Sequence, residues 1–205
     1  MPAADWLASA HPQPTEVHQA WERPGGLAAL PCGVVFTAVR LPALIVHAAV
    51  GTADPNAVRA RLGERLGGPV LHDPSRARYY PLVPTDTAKS WHNTVAYVRC
   101  LEPEHHMNTP APTVTQPSGQ TPYWIVPPME PERLCAPEAV RALTRHGQRR
   151  AAASGVGWCH WHEGYAPGTE LVTVTGMSSL DAGGRWACSP CRRAHRLRPF
   201  YDQRN

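Results

Sequence analysis

Two pairs of soft metal ligands limit what this chain can fold into more than any other feature. The first pair lies in Trp158-Cys159-His160-Trp161-His162-Glu163 and the second in Ala187-Cys188-Ser189-Pro190-Cys191. Cys159 and His162, like Cys188 and Cys191, stand with two residues between them, and the insert separating the pairs is long enough for a β-hairpin. That is a four-ligand zinc pattern. A segment of roughly fifty residues cannot bury enough apolar surface to fold unaided, so a metal is expected to stand in for its core. With four protein ligands, Zn2+ would be structural, leaving no open place for a catalytic water. The fourth ligand stays open at this point: His160 could replace His162, and His195, with three residues between it and Cys191, could join.

The residues around the pairs predict how the chain connects them. Gly164-Tyr165-Ala166-Pro167-Gly168 is a turn, Glu170 to Thr175 alternates as a strand, and Ala182-Gly183-Gly184 turns the chain back through Arg185-Trp186-Ala187. Arg192 to Leu197 then reads as a short helix. Knuckle, hairpin, knuckle, helix is the order of a treble-clef zinc site. Such sites also occur in His-Asn-His nucleases, whose hairpin supplies a general-base His, but Leu171 to Thr175 contains none, which speaks against a nuclease. Arg192, Arg193, Arg196 and Arg198 crowd the helix, with Trp186, Phe200 and Tyr201 close in sequence. Arginines interleaved with aromatics can contact phosphates and stack on bases of DNA or RNA. An acidic protein partner, or plain solvation, would suit the same side chains.

Charge points the same way. The formal net charge is +4, yet residues 145–205 hold nine Arg against four Asp and Glu, so the remainder is close to neutral. A basic C-terminal third beside a neutral body suggests a phosphate-bearing partner. The chain has six Cys, but Met1-Pro2-Ala3-Ala4-Asp5 is neither basic nor followed by a long apolar run. A reducing cytoplasm is therefore expected, with Cys32, Cys100 and Cys135 as small core residues. No apolar stretch is long enough to span a bilayer, and no membrane partner is expected.

Ahead of the ligand pairs, the body reads as mixed helices and strands. Asp5 to Ala10 and Thr15 to Trp21 are short helical patterns, broken by Pro12 and by Arg23-Pro24-Gly25-Gly26. Leu30 to Val39 is a continuous apolar run that predicts one strand buried on both faces. Leu41 to Val50 predicts a buried helix started by Pro42 and ended by Gly51. Asp54 to Leu66 places Val58, Leu62 and Leu66 on one face behind an Asp cap, an amphipathic surface helix. Pro69 to Asp73, Arg78 to Val83, Thr94 to Leu101 and Tyr123 to Val126 are short strands. Glu102 to Thr121, broken by Pro103, Pro110, Pro112, Pro117 and Gly119, predicts a long loop of the kind that often carries function. Pro137 to His146 predicts a helix that Gly147 stops.

Several apolar blocks of the body, Leu30-Pro31-Cys32-Gly33-Val34-Val35-Phe36, Leu41-Pro42-Ala43-Leu44, Gly68-Pro69-Val70, Tyr79-Tyr80-Pro81-Leu82-Val83-Pro84 and Tyr123-Trp124-Ile125-Val126-Pro127-Pro128, together resemble the N-terminal domains of bifunctional DNA primase/polymerases, the prim-pol domains. The resemblance covers Asp5 to His146 and implies an RRM-like core of the archaeo-eukaryotic primase type. Catalytic members need paired carboxylates on a strand, because phosphoryl transfer requires two metals at the attacking and leaving oxygens. Here the corresponding strand reads Val35-Phe36-Thr37-Ala38-Val39-Arg40, and no carboxylate occurs between Glu22 and Asp54. The acid-x-acid pairs of the body are Glu102-Pro103-Glu104 and Glu130-Pro131-Glu132, both in proline-broken loops. His72-Asp73 and His105-His106 could be remnants of a catalytic centre but read more simply as turn and loop residues.

These readings set the expectations: an α+β chain with an RRM-like, primase-type domain at residues 1–147, a linker at 148–157 and a zinc-binding hairpin-plus-helix module at 158–205. The expected role is nucleic-acid binding by a prim-pol-like protein without catalysis, through Arg192, Arg193, Arg196 and Arg198 on a zinc-stapled module. The alternatives are a regulatory scaffold docking another protein, and an active primase/polymerase or nuclease.

Overall fold

Helix ends lie where short-range chemistry puts them. The computed structural model describes residues 1–91, 98–175, 183–199 and 202. Helices α1 (Ala3–Ala8) and α2 (Pro14–Glu22) lead into strands β1 (Leu27–Pro31) and β2 (Thr37–Pro42). Helix α3 (Ala43–Val50) follows directly, with Pro42 at its N-cap and Gly51 closing it in the left-handed region at φ 75°. Asp54 caps α4 (Pro55–Leu66) by accepting a hydrogen bond from the Ala57 amide at 2.9 Å, and Gly67 ends it at φ 67°. Strands β3 (Val70–Asp73) and β4 (Arg78–Val83) are joined by a 3-10 turn over Pro74–Arg76. The body then carries α5 (Thr87–Ser90), β5 (Arg99–Cys100), β6 (His106–Pro110), β7 (Tyr123–Val126) and α6 (Pro137–Ala153).

The chain is α+β and divides into two compact units, Met1–Gly147 and Gln148–Asn205. In the first, five antiparallel-paired strands lie in the order β5-β2-β4-β3-β7. Strands β2 and β3 both run antiparallel to β4, hence parallel to each other with β4 inserted between them, and α3 and α4 form the crossover. The order β5-β2-β4-β3 is the split β-α-β arrangement of an RRM-like sheet, to which β7 adds an outer strand.

Alternation along the strands sends side chains to two separate apolar layers. Val39, Leu41, Val70, Tyr79, Tyr123 and Ile125 pack with Val46, Val50, Val58, Leu62 and Leu66 of α3 and α4. Ala38, Leu71, Tyr80, Leu82 and Trp124 face the other way, against Trp6, Leu7, Val17, Leu30 and Met107. That second face is the one an RRM leaves open for stacking bases. Here α1, α2 and the two-stranded β1-β6 sheet cover it, and Trp124 is fully buried with its indole nitrogen donating to the Pro110 carbonyl.

Three expectations about the body fail for identifiable reasons. The apolar run Leu30 to Val39 is not one strand: Gly33 takes φ 85°, its amide bonds to the Phe36 carbonyl at 2.7 Å, and the turn hands the chain from β1 to β2 in a different sheet. The expected long loop Glu102 to Thr121 contains β6, which pairs with β1 from Leu27↔Pro110 to Pro31↔His106. Met107 and Thr109 point inward, and polar His106 and Asn108 point outward. Finally, Gly147 does not stop α6, which continues to Ala153 through part of the expected linker. A Cβ at Gly147 would lie 2.1 Å from the Ile45 carbonyl oxygen, so this glycine serves a close approach of helix backbones. Of the strand expected at Thr94 to Leu101, residues 94–97 lie outside the described residues.

The second unit holds two hairpins and a helix. Strands β8 (Val156–Cys159) and β9 (Gly164–Pro167) pair antiparallel, as do β10 (Glu170–Thr175) and β11 (Gly183–Ala187), and α7 (Ser189–Ala194) follows. Among the described residues, its buried apolar cluster is Cys159, Val172, Ala187 and Cys188, with Trp161, Ala166, Cys191 and Leu197 partly buried around it. Among the described residues of the whole chain, no helix is long and apolar enough to cross a membrane.

Candidate metal centre

Cys159 ends β8, and residues 160–163 turn the chain so tightly that Cys159 registers against Gly164. Glu163 takes the left-handed conformation at φ 50° to make this turn. A Cβ at Gly164 would lie 2.8 Å from the His162 ring, so glycine there lets the imidazole fold back toward the cysteines. Cys188 is the N-cap of α7, and Cys191 falls in its first turn. The two hairpins and the helix thus bring both ligand pairs to one place.

Cys159, His162, Cys188 and Cys191 form the one group of three or more His, Cys, Asp or Glu suited to a metal ion among the described residues, with all ligand atoms within 4.8 Å of one another. His162 Nδ1 lies 3.3 Å from Cys191 Sγ and 3.5 Å from Cys188 Sγ. Tetrahedral zinc, with Zn–S near 2.3 Å and Zn–N near 2.0–2.1 Å, sets its N and S ligands about 3.5 Å apart. The spacing fits. None of the six cysteines forms a disulfide.

Electrostatics agrees with the geometry. Burial pushes the Cys159 thiol up, but hydrogen bonds from the backbone of Cys188, His162 and Trp161, and from the Cys191 side chain, outweigh it and hold the group at about 6. Burial and the neighbouring Cys188 and Cys159 sulfurs push Cys191 the other way, up to about 12. Backbone amides aimed at one sulfur favour a thiolate, and that charge resists a second one beside it. A divalent cation held by these residues would remove the conflict by replacing the shared protons.

Of the three candidate histidines, His162 is the one the structure places beside the cysteines. The His160 ring is turned aside: its Nδ1 lies 3.0 Å from the Trp186 amide, and the His160 amide donates to the Trp186 carbonyl at 2.9 Å. His195 is exposed after α7, its amide bonded to the Cys191 carbonyl at 2.9 Å, and does not belong to the cluster.

The arginines divide. Arg192, expected to meet nucleic acid, is held inside its own unit: its guanidinium pairs with Glu170 at 2.8 Å with 15% of the side chain exposed, and it donates to Ser189 Oγ at 3.1 Å. Its partner is the Glu170 carboxylate at the start of β10, which sequence spacing does not reveal. Arg193, Arg196 and Arg198 are exposed, and Trp186 is 44% exposed. Phe200 and Tyr201 lie outside the described residues.

The body's candidates go to structural places. Asp73 caps the turn after β3, accepting from Ser75 Oγ at 2.6 Å and the Arg76 amide at 3.3 Å. His72 stacks on Tyr79 with ring centroids 4.1 Å apart and meets the Tyr123 hydroxyl at 3.1 Å, while His47 meets the Tyr79 hydroxyl at 3.0 Å. Glu102, Glu104, Glu130 and Glu132 are all exposed. Compared with known proteins, the chain matches no family model, no curated protein and no solved structure.

Proposed function

We propose that this protein binds nucleic acid without catalysing a reaction on it, and that a structural zinc, held by Cys159, His162, Cys188 and Cys191, fixes the module that makes the contact. The thiolate-rich donor set favours zinc over harder cations, and four protein ligands suit a staple. The order of hairpins, knuckles and helix supports a treble-clef-like module. The observation that carries the reading is the placement of Arg193, Arg196 and Arg198: exposed residues on and just after the helix that begins at the second ligand pair. Arg192 serves this arrangement from within, with its charge matched by Glu170. The prim-pol-like character of the body rests on the sequence blocks given above and on its RRM-like strand order.

The test is a titration of labelled single- and double-stranded DNA and RNA across salt concentrations. Each neutralised phosphate on duplex DNA contributes a slope of about −0.9 in log K against log salt. Replacing Arg193, Arg196 and Arg198 together by Gln lowers the affinity and flattens that slope by up to about three such contributions. An equal slope in parent and variant would remove the module from the interface. Absence of salt-dependent binding to either nucleic acid would leave docking of an acidic protein as the reading of these arginines.

A further inference from the structure

A second cationic place lies in the body and owes nothing to the C-terminal arginines. On the sheet face opposite α3 and α4, a cavity of about 270 Å³ is lined by Arg40, Arg76, Arg78, Tyr80, His105 and His106, among others. Its volume is below the range of roughly 300–1,000 Å³ usual for drug-sized ligands, so an occupant would be small.

Strand register makes this cavity unusual. Arg40 of β2 stands directly opposite Arg99 of β5, and Arg78 of β4 is paired with Pro42, two residues along from Arg40. Cross-strand partners and residues two apart share a sheet face. Three guanidinium groups are therefore gathered on one face, and like charges placed directly opposite destabilise a sheet. Arg40 is only partly exposed and makes no ion pair among the described residues. The one acid in the lining, Asp73, already serves Ser75 and Arg76. Burial, then the neighbouring Arg78 and Arg99 charges, hold Arg40 below the usual guanidinium range. A folded chain that gathers uncompensated guanidinium groups around a hollow has the donors of an oxyanion site, since their planar forks match phosphate oxygens.

We infer that Arg40 and Arg78 bind a small phosphate-bearing ligand in this cavity, with Arg99 adding its charge from opposite Arg40 on the neighbouring strand. The imidazoles of His105 and His106 and the ring of Tyr80 complete a polar wall. The site does not depend on the metal centre or on the nucleic-acid reading, and it needs no carboxylate pair.

Calorimetric titration of the full chain with inorganic phosphate, at constant ionic strength against a chloride control, tests it. A parallel arm with a nucleoside monophosphate asks whether a base adds to the phosphate contact. Saturable binding is expected, weakened about tenfold or more in Arg40→Gln and in Arg78→Gln, because each removes a charge-assisted contact. The Arg193→Gln, Arg196→Gln, Arg198→Gln triple variant should bind phosphate as the parent does, which separates this site from the module. Without ligand, Arg40→Gln and Arg78→Gln should be at least as thermally stable as the parent, since each relieves repulsion. Four results overturn the inference: no saturable binding, unchanged binding in both single variants, loss of binding only in the triple variant, or destabilisation of both ligand-free single variants.

Discussion

The two units solve the problem of folding by different means. The body sets two apolar layers against a five-stranded sheet and buries Trp124, Phe36, Leu62 and Leu71 almost completely. Among the described residues of the C-terminal unit the buried cluster is four small residues, and two of them, Cys159 and Cys188, are candidate metal ligands. Apolar burial at about 25 cal/mol per Å² can stabilise a domain the size of the body, but the small side chains buried among the described residues of the C-terminal unit supply little of it. On the proposed reading, packing specifies one unit and ligation the other. A perturbation aimed at either mechanism should therefore act on one unit and spare the other.

The largest separation is expected from Cys188→Ser. Structural zinc contributes on the order of 10–16 kcal/mol in small zinc modules, so losing a ligand should unfold the C-terminal unit. Amide exchange should show lost protection in β8 to β11 and α7 with protection of β2, β3 and β4 retained. Leu62→Ala is the converse experiment. Truncating a buried leucine costs about 2–5 kcal/mol, which denaturant unfolding of the body should report while metal content per folded chain stays the same. A smaller effect is expected from Gly164→Ala, whose methyl would crowd the His162 ring; metal affinity should fall by roughly 10–100-fold, read by competition with a chelating dye.

The smallest effect concerns acid. Burial, then the His47 charge, depress His72 to about 4, with Asp73 opposing weakly. The unfolded chain takes up this proton near pH 6.5, the folded chain only near 4, so stability from the neutral ring is complete above about 6.5 and declines as the pH falls toward 4. His72→Gln should flatten that acid limb in thermal unfolding monitored on the body, and an unchanged limb would assign it to other groups.

What could be read before folding follows from the range of each signal. Helices α3 and α4 were set by neighbours, Pro42 with Gly51 and Asp54 with Gly67, and the spacing of Cys159, His162, Cys188 and Cys191 marked out the cluster without help from the rest of the chain. The misses needed distant partners. Strand β6 hides among prolines because its pairing residue is far away, as in Leu27↔Pro110. Gly147 looked like a helix stop, yet its lack of a side chain answers the Ile45 carbonyl. Spacing could not choose between His160 and His162; the Trp186 backbone does, by engaging the His160 ring. Nor could it show that Glu170 would claim Arg192 while Arg193 stays exposed.

The central claim is that ligation, not burial, specifies the C-terminal unit. Metal analysis of the purified chain, followed by amide exchange before and after chelation, addresses it most directly. The account predicts one tightly held zinc per chain, and chelation that removes protection from β8 to β11 and α7 but leaves the body protected. A metal-free chain whose C-terminal unit keeps its protection would contradict it.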